Sequence, residues 1–539
     1  MEHGITASAS VAPKLFSWPW WVGEAGQRPL IILGLLIFFF TVVYVVPTPR
    51  SMVGLAKEIS AAGAKYKAGT TNFVDSYNKI LKSDLTPEKV AWKMKLCVAV
   101  LFTIALLWGT EAISLAATDI LVGVILYVFA ILPVDEISKA YMKDAVFFIT
   151  GVLILTAAVS ATGLDRRIGN LLLGRIKGLK GFCFIFFPIL ACAAGFLSEH
   201  ALVAIMCPIL LLVYRAGEEK GLTPKQLHAL ACTLFLGTCF AANVGGSGSP
   251  AVGGRSALMI GYFNDYGLPM SFGQWMMYGF PLVPIIALSC GMWVYLSMAC
   301  RTGPALKMDL GAVMRKGVEG IGPLRGKELV MAILFVAQIV LWIGFSSKIG
   351  LGGASFLVVL AILVFRVVSW EEIQRRVRFD VIGLYAGACA IGVALDSTGA
   401  GVWLAREFVG ILPVAFSKGM GVVLSSSLVT TIMTNFMSDG AAVGALGPVV
   451  LPLAAMGGVH LWQVGLACSF GSSYAHAMIV GTVNNAIAYG MARHPETGKG
   501  LLSPLDFLIY GLPFVFISLL ILWGVAFFGY WQFLPWPAP

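Results

Sequence analysis

The sequence predicts an all-α polytopic membrane protein, with about 11 transmembrane helices and two re-entrant hairpins in an inverted repeat. Three observations carry this reading. Of 539 residues, 58% are hydrophobic and only 12% charged, with a mean hydropathy of +0.87, which does not suit a soluble globule. Many runs reach the roughly 20 apolar residues that cross a bilayer. One phrase is written twice, FLSEHALVAIMCPILL at 196–211 and FMSDGAAVGALGPVVL at 436–451, so that Phe196 answers Phe436, Ser198 answers Ser438 and Glu199 answers Asp439 at one constant offset.

The spans follow in order. Residues 1–28 form a cytoplasmic amino-terminal segment in which Trp18, Trp20 and Trp21 make an interfacial belt before a retained helix at 29–46. Spans at 94–108 and 112–132 complete an amino-terminal unit, 29–143, interrupted by an extracytoplasmic insertion at 51–84. A first repeat, 144–300, holds a span at 145–163, a hairpin at 182–214, a glycine-broken span at 226–262 and a span at 273–299. A cytoplasmic linker covers 301–327. The second repeat, 328–539, holds spans at 328–346, 351–367 and 380–397, a hairpin at 419–457, a broken span at 461–491 and a last span at 508–531. Irregular backbone at membrane depth is tolerated where protein or a water-filled cavity covers it, so each hairpin reads as two half-helices meeting at a polar tip.

The repeat extends beyond the hairpins. Residues 144–163 align with 380–399 through Asp144/Asp380, Gly151/Gly387, Ala158/Ala394, Thr162/Thr398 and Gly163/Gly399. The two breaks align through Val252-Gly253 and Val480-Gly481.

The net charge of +10 points to topology rather than to nucleic acid. Arg166, Arg167, Arg215, Lys220, Arg301, Lys307, Arg375, Arg376 and Arg493 all fall in loops assigned to one side, the cytoplasm by the positive-inside rule. That places the amino terminus inside and the carboxyl terminus outside, in what is expected to be a bacterial inner (plasma) membrane. The basic stretch 50–95 disagrees with this count. The ten cysteines show no CxxC pair and read as small buried hydrophobes, and the six histidines show no zinc-ligand spacing. No nucleophile–base pair stands out, so the chain does not read as an enzyme.

Both tips put a carboxylate, Glu199 or Asp439, inside an apolar run, and such a group is a functional-site hypothesis by default. Half-helix amino termini favour an anion, while serine hydroxyls and glycine-exposed backbone add donors. Ser198, Ser247, Ser249 and Arg255 from one half, with Ser438 and Thr482 from the other, are the candidate substrate contacts. Small and hydroxyl residues also serve close helix packing. Arg255 could fork onto a substrate anion, pair with Glu199 as a fixed cation, or snorkel to an interface. Asp439 has no obvious fixed cation in its own half. With Ser438 and Asn485 it could hold sodium, or it could carry a proton. His200 and His476 could relay protons or simply pack. Glu111, Asp119 and Asp396 read as structural or interfacial.

These residues resemble the divalent anion/sodium symporter family over about 85–531. That family carries Ser-Asn-Thr at each hairpin tip and a Gly-Thr-Pro-Pro-Asn-like break after it. Here the tips are Ser198-Glu199-His200 and Ser438-Asp439-Gly440. The second break, Gly481 to Asn485, keeps Gly, Thr and Asn, and the first keeps only Gly253. The stretches at 85–114 and 501–513 are also similar. The resemblance implies a homodimer and elevator-like alternating access. It also implies symport of a dicarboxylate, tricarboxylate or sulfate-like anion, coupled to sodium or protons. A cation/proton antiporter of the same broad fold, using Glu199 and Asp439, is the alternative.

Overall fold

A computed structural model describes residues 28–58, 73–165, 167–168, 176–307 and 323–537. The tryptophan belt and the basic residues Arg166, Arg175, Arg315 and Lys316 lie outside them. The described residues are helices and turns, with a single isolated β-bridge between Arg493 and Gly500. Eight of the helices are long and apolar enough to cross a membrane, and Pro29–Val45 with Arg50–Lys57, bent by 63°, makes up to nine. The expected span at 112–132 is a shorter apolar helix, Leu115–Val128.

The amino-terminal spans start where the sequence caps them. Thr86 accepts from Lys89 N with Pro87 at the first helical position, and Ser114 accepts from Ala117 N. The insertion at 51–84 is not detached. Tyr77 is buried and donates to Ile131 O (2.5 Å), and Glu58 pairs with Arg406 (2.6 Å).

The spans expected at 328–346 and 351–367 form one helical run, Gly326–Val364, broken at Gly350 (φ 74°). The Asp144 carboxylate accepts from Leu351 N and Gly352 N, 3.0 Å each, and so caps the second segment from a neighbouring helix. Asp380, its repeat mate, instead pairs with Arg378 (2.5 Å).

The repeat is visible in backbone detail. Asp144–Thr162 and Phe379–Thr398 end alike, on Gly163 (φ 79°, ψ 9°) and Gly399 (φ 80°, ψ 6°), in the left-handed region that terminates helices and suits glycine. Thr162 Oγ1 donates back to Ala158 O (3.0 Å), as Thr398 Oγ1 does to Ala394 O (2.8 Å). These are the residues that recur in sequence.

Each hairpin is helix, tight turn, helix. Gly178–Ala194, partly wound as a π-helix, turns at 195–198 into Glu199–Glu219, and Met420–Thr434 turns at 435–438 into Asp439–Val450. The first outgoing arm continues to Glu219, past the expected end at 214. Both outgoing arms carry an internal proline, Pro208 and Pro448, at the same offset that relates the tips.

Both broken spans are helix, irregular link, short 3₁₀ turn, helix. Pro250–Val252 and Gly253 precede Gly254–Asp265, and Ile479–Gly481 and Thr482 precede Val483–Met491. Gly253 and Thr482 are thus equivalent caps, both with extended backbone. The Val-Gly match, which pairs Gly253 with Gly481, is one position out of this structural register. Local backbone geometry rather than residue identity sets where each helix restarts.

The halves pack crosswise. Glu199–Glu219 lies against Val483–Met491, and Asp439–Val450 lies against Gly254–Asp265. Each tip helix is therefore braced by the broken span of the other half. At one end of the bundle His494 pairs with Glu218 (3.1 Å), which joins two of the loops that the charge pattern assigns to one side.

Candidate functional site

Both tips open onto one cavity of about 480 Å³. Ser198, Glu199 and His200 line it from the first tip, and Ser438 and Asp439 from the second. The link 250–255 of the first broken span forms another wall, Phe148 to Ser160 a further one, and Tyr385 and Val483 also line it. Exposed Arg376, Arg378 and Glu111 also border it, so Glu111, read as structural or interfacial, is on the cavity.

The tip serines act locally as helix caps. Ser198 Oγ accepts from Ala201 N and Ser438 Oγ from Ala441 N, 3.3 Å each. The capped helices put Glu199 and Asp439 in their first turns, beside the free N–H groups.

Arg255 ties the two tips together. It is 2% exposed, and its Nη1 donates to Glu199 Oε1 (3.3 Å) and to Asp439 Oδ2. Among the described residues Asp439 has no fixed cation in its own half, but crosswise packing brings it the arginine of the first half. The interface reading of Arg255 fails on burial. Its Nε and Nη2, the other fork of the guanidinium, have no hydrogen-bond partner among the described residues. Gly246 and Ser473 lie at this fork: a Cβ on Gly246 would overlap Arg255 Nη2 and come within 2.9 Å of Ser473 Oγ, which also lacks a partner there. Only glycine leaves the guanidinium this space.

A second bridge runs the opposite way. The structural register makes Asn484 the counterpart of Arg255, each the second residue after its cap. Asn484 Oδ1 lies 2.6 Å from Nδ1 of His200, on the first tip, and its Nδ2 donates to Asn243 Oδ1 (2.7 Å). Asn243 Nδ2 continues to Asn485 Oδ1 (3.2 Å). Asn485 is fully used: it also accepts from Cys239 Sγ (2.8 Å) and donates to Ala475 O and Met478 O, 2.7 Å each.

The site is thus smaller and more charged than the sequence suggests. Ser198, Arg255, Ser438, Glu199, Asp439 and His200 are brought together. Ser247, Ser249, Thr482, His476 and Asn485 do not line the cavity. Ser247 and Ser249 donate to Val244 O and Gly195 O, and Thr482 caps its helix. His476 is buried among Phe240, Tyr474 and Phe514. The sodium set Ser438, Asp439 and Asn485 is not assembled, because Asn485 belongs to the asparagine network. Asp119 packs on Gly383 and Gly387, and Asp396 lines a separate cavity.

Asn484 and Tyr385 are missed by the sequence reading. The Asn-Asn pair signals the first, but the Val-Gly match hides which asparagine mirrors Arg255. Tyr385 stands in an apolar run. Its ring lies where a Cβ on Gly254 would go, and a Cβ on Gly440 would meet its hydroxyl at 2.5 Å. Glycines beside Arg255 and Asp439 are the one sequence trace of that ring.

The family model of the sodium:sulfate symporter transmembrane region matches residues 85–536. The sodium-dependent dicarboxylate transporter SdcS of Staphylococcus saprophyticus is 26% identical over 443 residues, covering 76% of this chain and 82% of its own. The same-named transporter of Staphylococcus aureus is 24% identical over 438 residues, with the same coverages. Among solved structures, the YdaH transporter of Alcanivorax borkumensis matches with a TM-score of 0.48 at 14% identity, covering 76% of this chain and 89% of that one.

Proposed function

This chain belongs to the sodium:sulfate symporter family, and on that footing we propose that it is a secondary active transporter of a small dianion, a dicarboxylate or a sulfate-like ion. The observation that carries the reading is the convergence of Glu199, Arg255 and Asp439, from both halves, at one cavity. Arg255, on the cavity wall, supplies the fixed positive charge that a carboxylate or sulfate needs. The capped tips at Ser198 and Ser438 add N–H donors at two helix starts.

Charge arithmetic supplies the coupling. With both acids ionised, two carboxylates face one guanidinium, and the cluster carries one net negative charge. An anion entering that site meets repulsion in a low dielectric until a cation is bound. Sodium dependence is in the names of the relatives, and a proton on Glu199 or Asp439 would serve the same balance. A bare pair of acids would suit cation/proton exchange, but Arg255 between them does not. Alternating access by an elevator movement in a homodimer belongs to the same reading.

The test is uptake of labelled succinate, citrate and sulfate into proteoliposomes, with sodium and pH gradients imposed separately. Accumulation of an anion under one gradient is the expected result. If no anion moves under any gradient, the reading fails.

A further inference from the structure

Away from the cavity, the fold gathers three donors that the transport reading does not use. His228 and Cys232 stand one helical turn apart, where Pro224–Ala231 passes into a π-helical segment. Asp506 comes from the start of the last long helix. His228 Nε2 lies 3.1 Å from Asp506 Oδ1 and 3.7 Å from Cys232 Sγ, and all three donor atoms fall within 4.8 Å of one another.

We propose that His228, Cys232 and Asp506 bind a divalent transition-metal ion of the zinc class. The separations fit one ion. With metal–nitrogen and metal–oxygen bonds of about 2.0–2.1 Å and a metal–sulfur bond of about 2.3 Å, the edges of a tetrahedron are about 3.3–3.5 Å. The two separations from His228, 3.1 and 3.7 Å, bracket that range, and the third lies within 4.8 Å. A borderline-soft ion also suits one nitrogen, one sulfur and one oxygen better than magnesium or calcium would.

The surroundings are those of a held site. Asp506 Oδ2 accepts from Ser503 N (2.7 Å) and Ser503 Oγ (2.9 Å), which fixes the carboxylate and leaves Oδ1 toward the histidine. Cys232 is fully buried, whereas the His228 side chain is 49% exposed, so the histidine side is the entry path. Three protein donors leave the fourth position to water, the pattern of an exchangeable site. The Cys232 thiol gives up its proton to become a ligand, and that proton leaves to solvent. The ion would clamp the start of Pro224–Ser247, which leads to the first break, to the start of Pro504–Phe533.

The experiment is cobalt(II) titration of the purified full chain, under reducing, oxygen-free conditions. A thiolate-to-cobalt charge-transfer band saturating at one equivalent and displaced by zinc is expected. Cys232→Ala should abolish the band. His228→Ala, at a half-exposed position, should weaken zinc binding by about tenfold or more. Zinc should raise the thermal midpoint of the unmodified chain and not that of His228→Ala. The proposal is overturned if no band forms, if the band survives Cys232→Ala because another cysteine carries it, or if His228→Ala binds zinc as tightly as the unmodified chain.

Discussion

Arg255, from the first half of the chain, is ion-paired with Asp439 from the second. The same nitrogen also holds Glu199, so one guanidinium joins both tips. A buried arginine between two acids makes the tips a single electrostatic unit, and what changes one changes the other.

Removing that arginine should be felt twice. Arg255→Ala leaves the buried Glu199 carboxylate and the partly buried Asp439 carboxylate without their cation, a loss of about 3–5 kcal/mol in stability. Arg255→Lys keeps the charge but not the fork, so it should fold and still transport poorly. Uptake assays beside thermal melts separate the effects. Normal uptake by Arg255→Lys would show that the charge alone serves transport.

Gly246→Ala places a methyl group where Arg255 Nη2 lies. Uptake at limiting substrate should fall by about tenfold or more, equivalent to about 1.4 kcal/mol. Gly344, also helical, has nothing within 4 Å of a built Cβ. Gly344→Ala should leave uptake unchanged and stabilise its helix by about 0.5–1 kcal/mol. Equal effects of the two substitutions would count against the packing argument.

Asn484 and Asn485 should part company. Each truncation to alanine strands buried partners at a cost of about 1–3 kcal/mol. Only Asn484 touches His200, which lines the cavity. A double-mutant cycle of His200→Ala with Asn484→Ala should give a coupling of about 0.5–3 kcal/mol in stability. Strict additivity would sink the bridge.

Asp439→Asn removes one negative charge from the cluster. The site is then neutral without a bound cation, so uptake should lose dependence on the driving cation gradient and carry one more negative charge per cycle. Uptake at clamped membrane potentials measures this. An unchanged gradient dependence would refute the charge arithmetic.

Asp144→Ala frees Leu351 N and Gly352 N at the break of the long helix. The expected cost is that of a lost cap, about 0.5–2 kcal/mol. Thermal melts should show it, with Asp380→Ala, whose partner is exposed Arg378, as the milder comparison.

Much of the fold is legible because its signals are local. Hydropathy marks the spans, Ser198 and Ser438 cap the tip helices, and Gly163 and Gly399 end equivalent helices. The contents of the site are half legible. Carboxylates and an arginine in apolar runs announce themselves, since nothing else accounts for burying them. The hydroxyl residues do not. Ser247, Ser249 and Thr482 look like substrate contacts in sequence, yet Ser247 and Ser249 spend their hydroxyls on backbone carbonyls and Thr482 spends its own on a helix cap. The His228–Cys232–Asp506 cluster is invisible for another reason: its third member lies 278 residues beyond His228, and only packing brings it to the other two.

The sequence by itself determined that this chain crosses a membrane, that its core unit occurs twice, and that each copy carries an acid inside an apolar run. Those follow from hydrophobicity, period and composition, which are properties of short segments. Only the tertiary structure decided which acid meets which base. Asp439 reaches Arg255, and His200 reaches Asn484, because each tip helix packs on the broken span of the other half. A pairing between halves depends on how helices far apart in the chain pack against one another, and no pattern within one half encodes it.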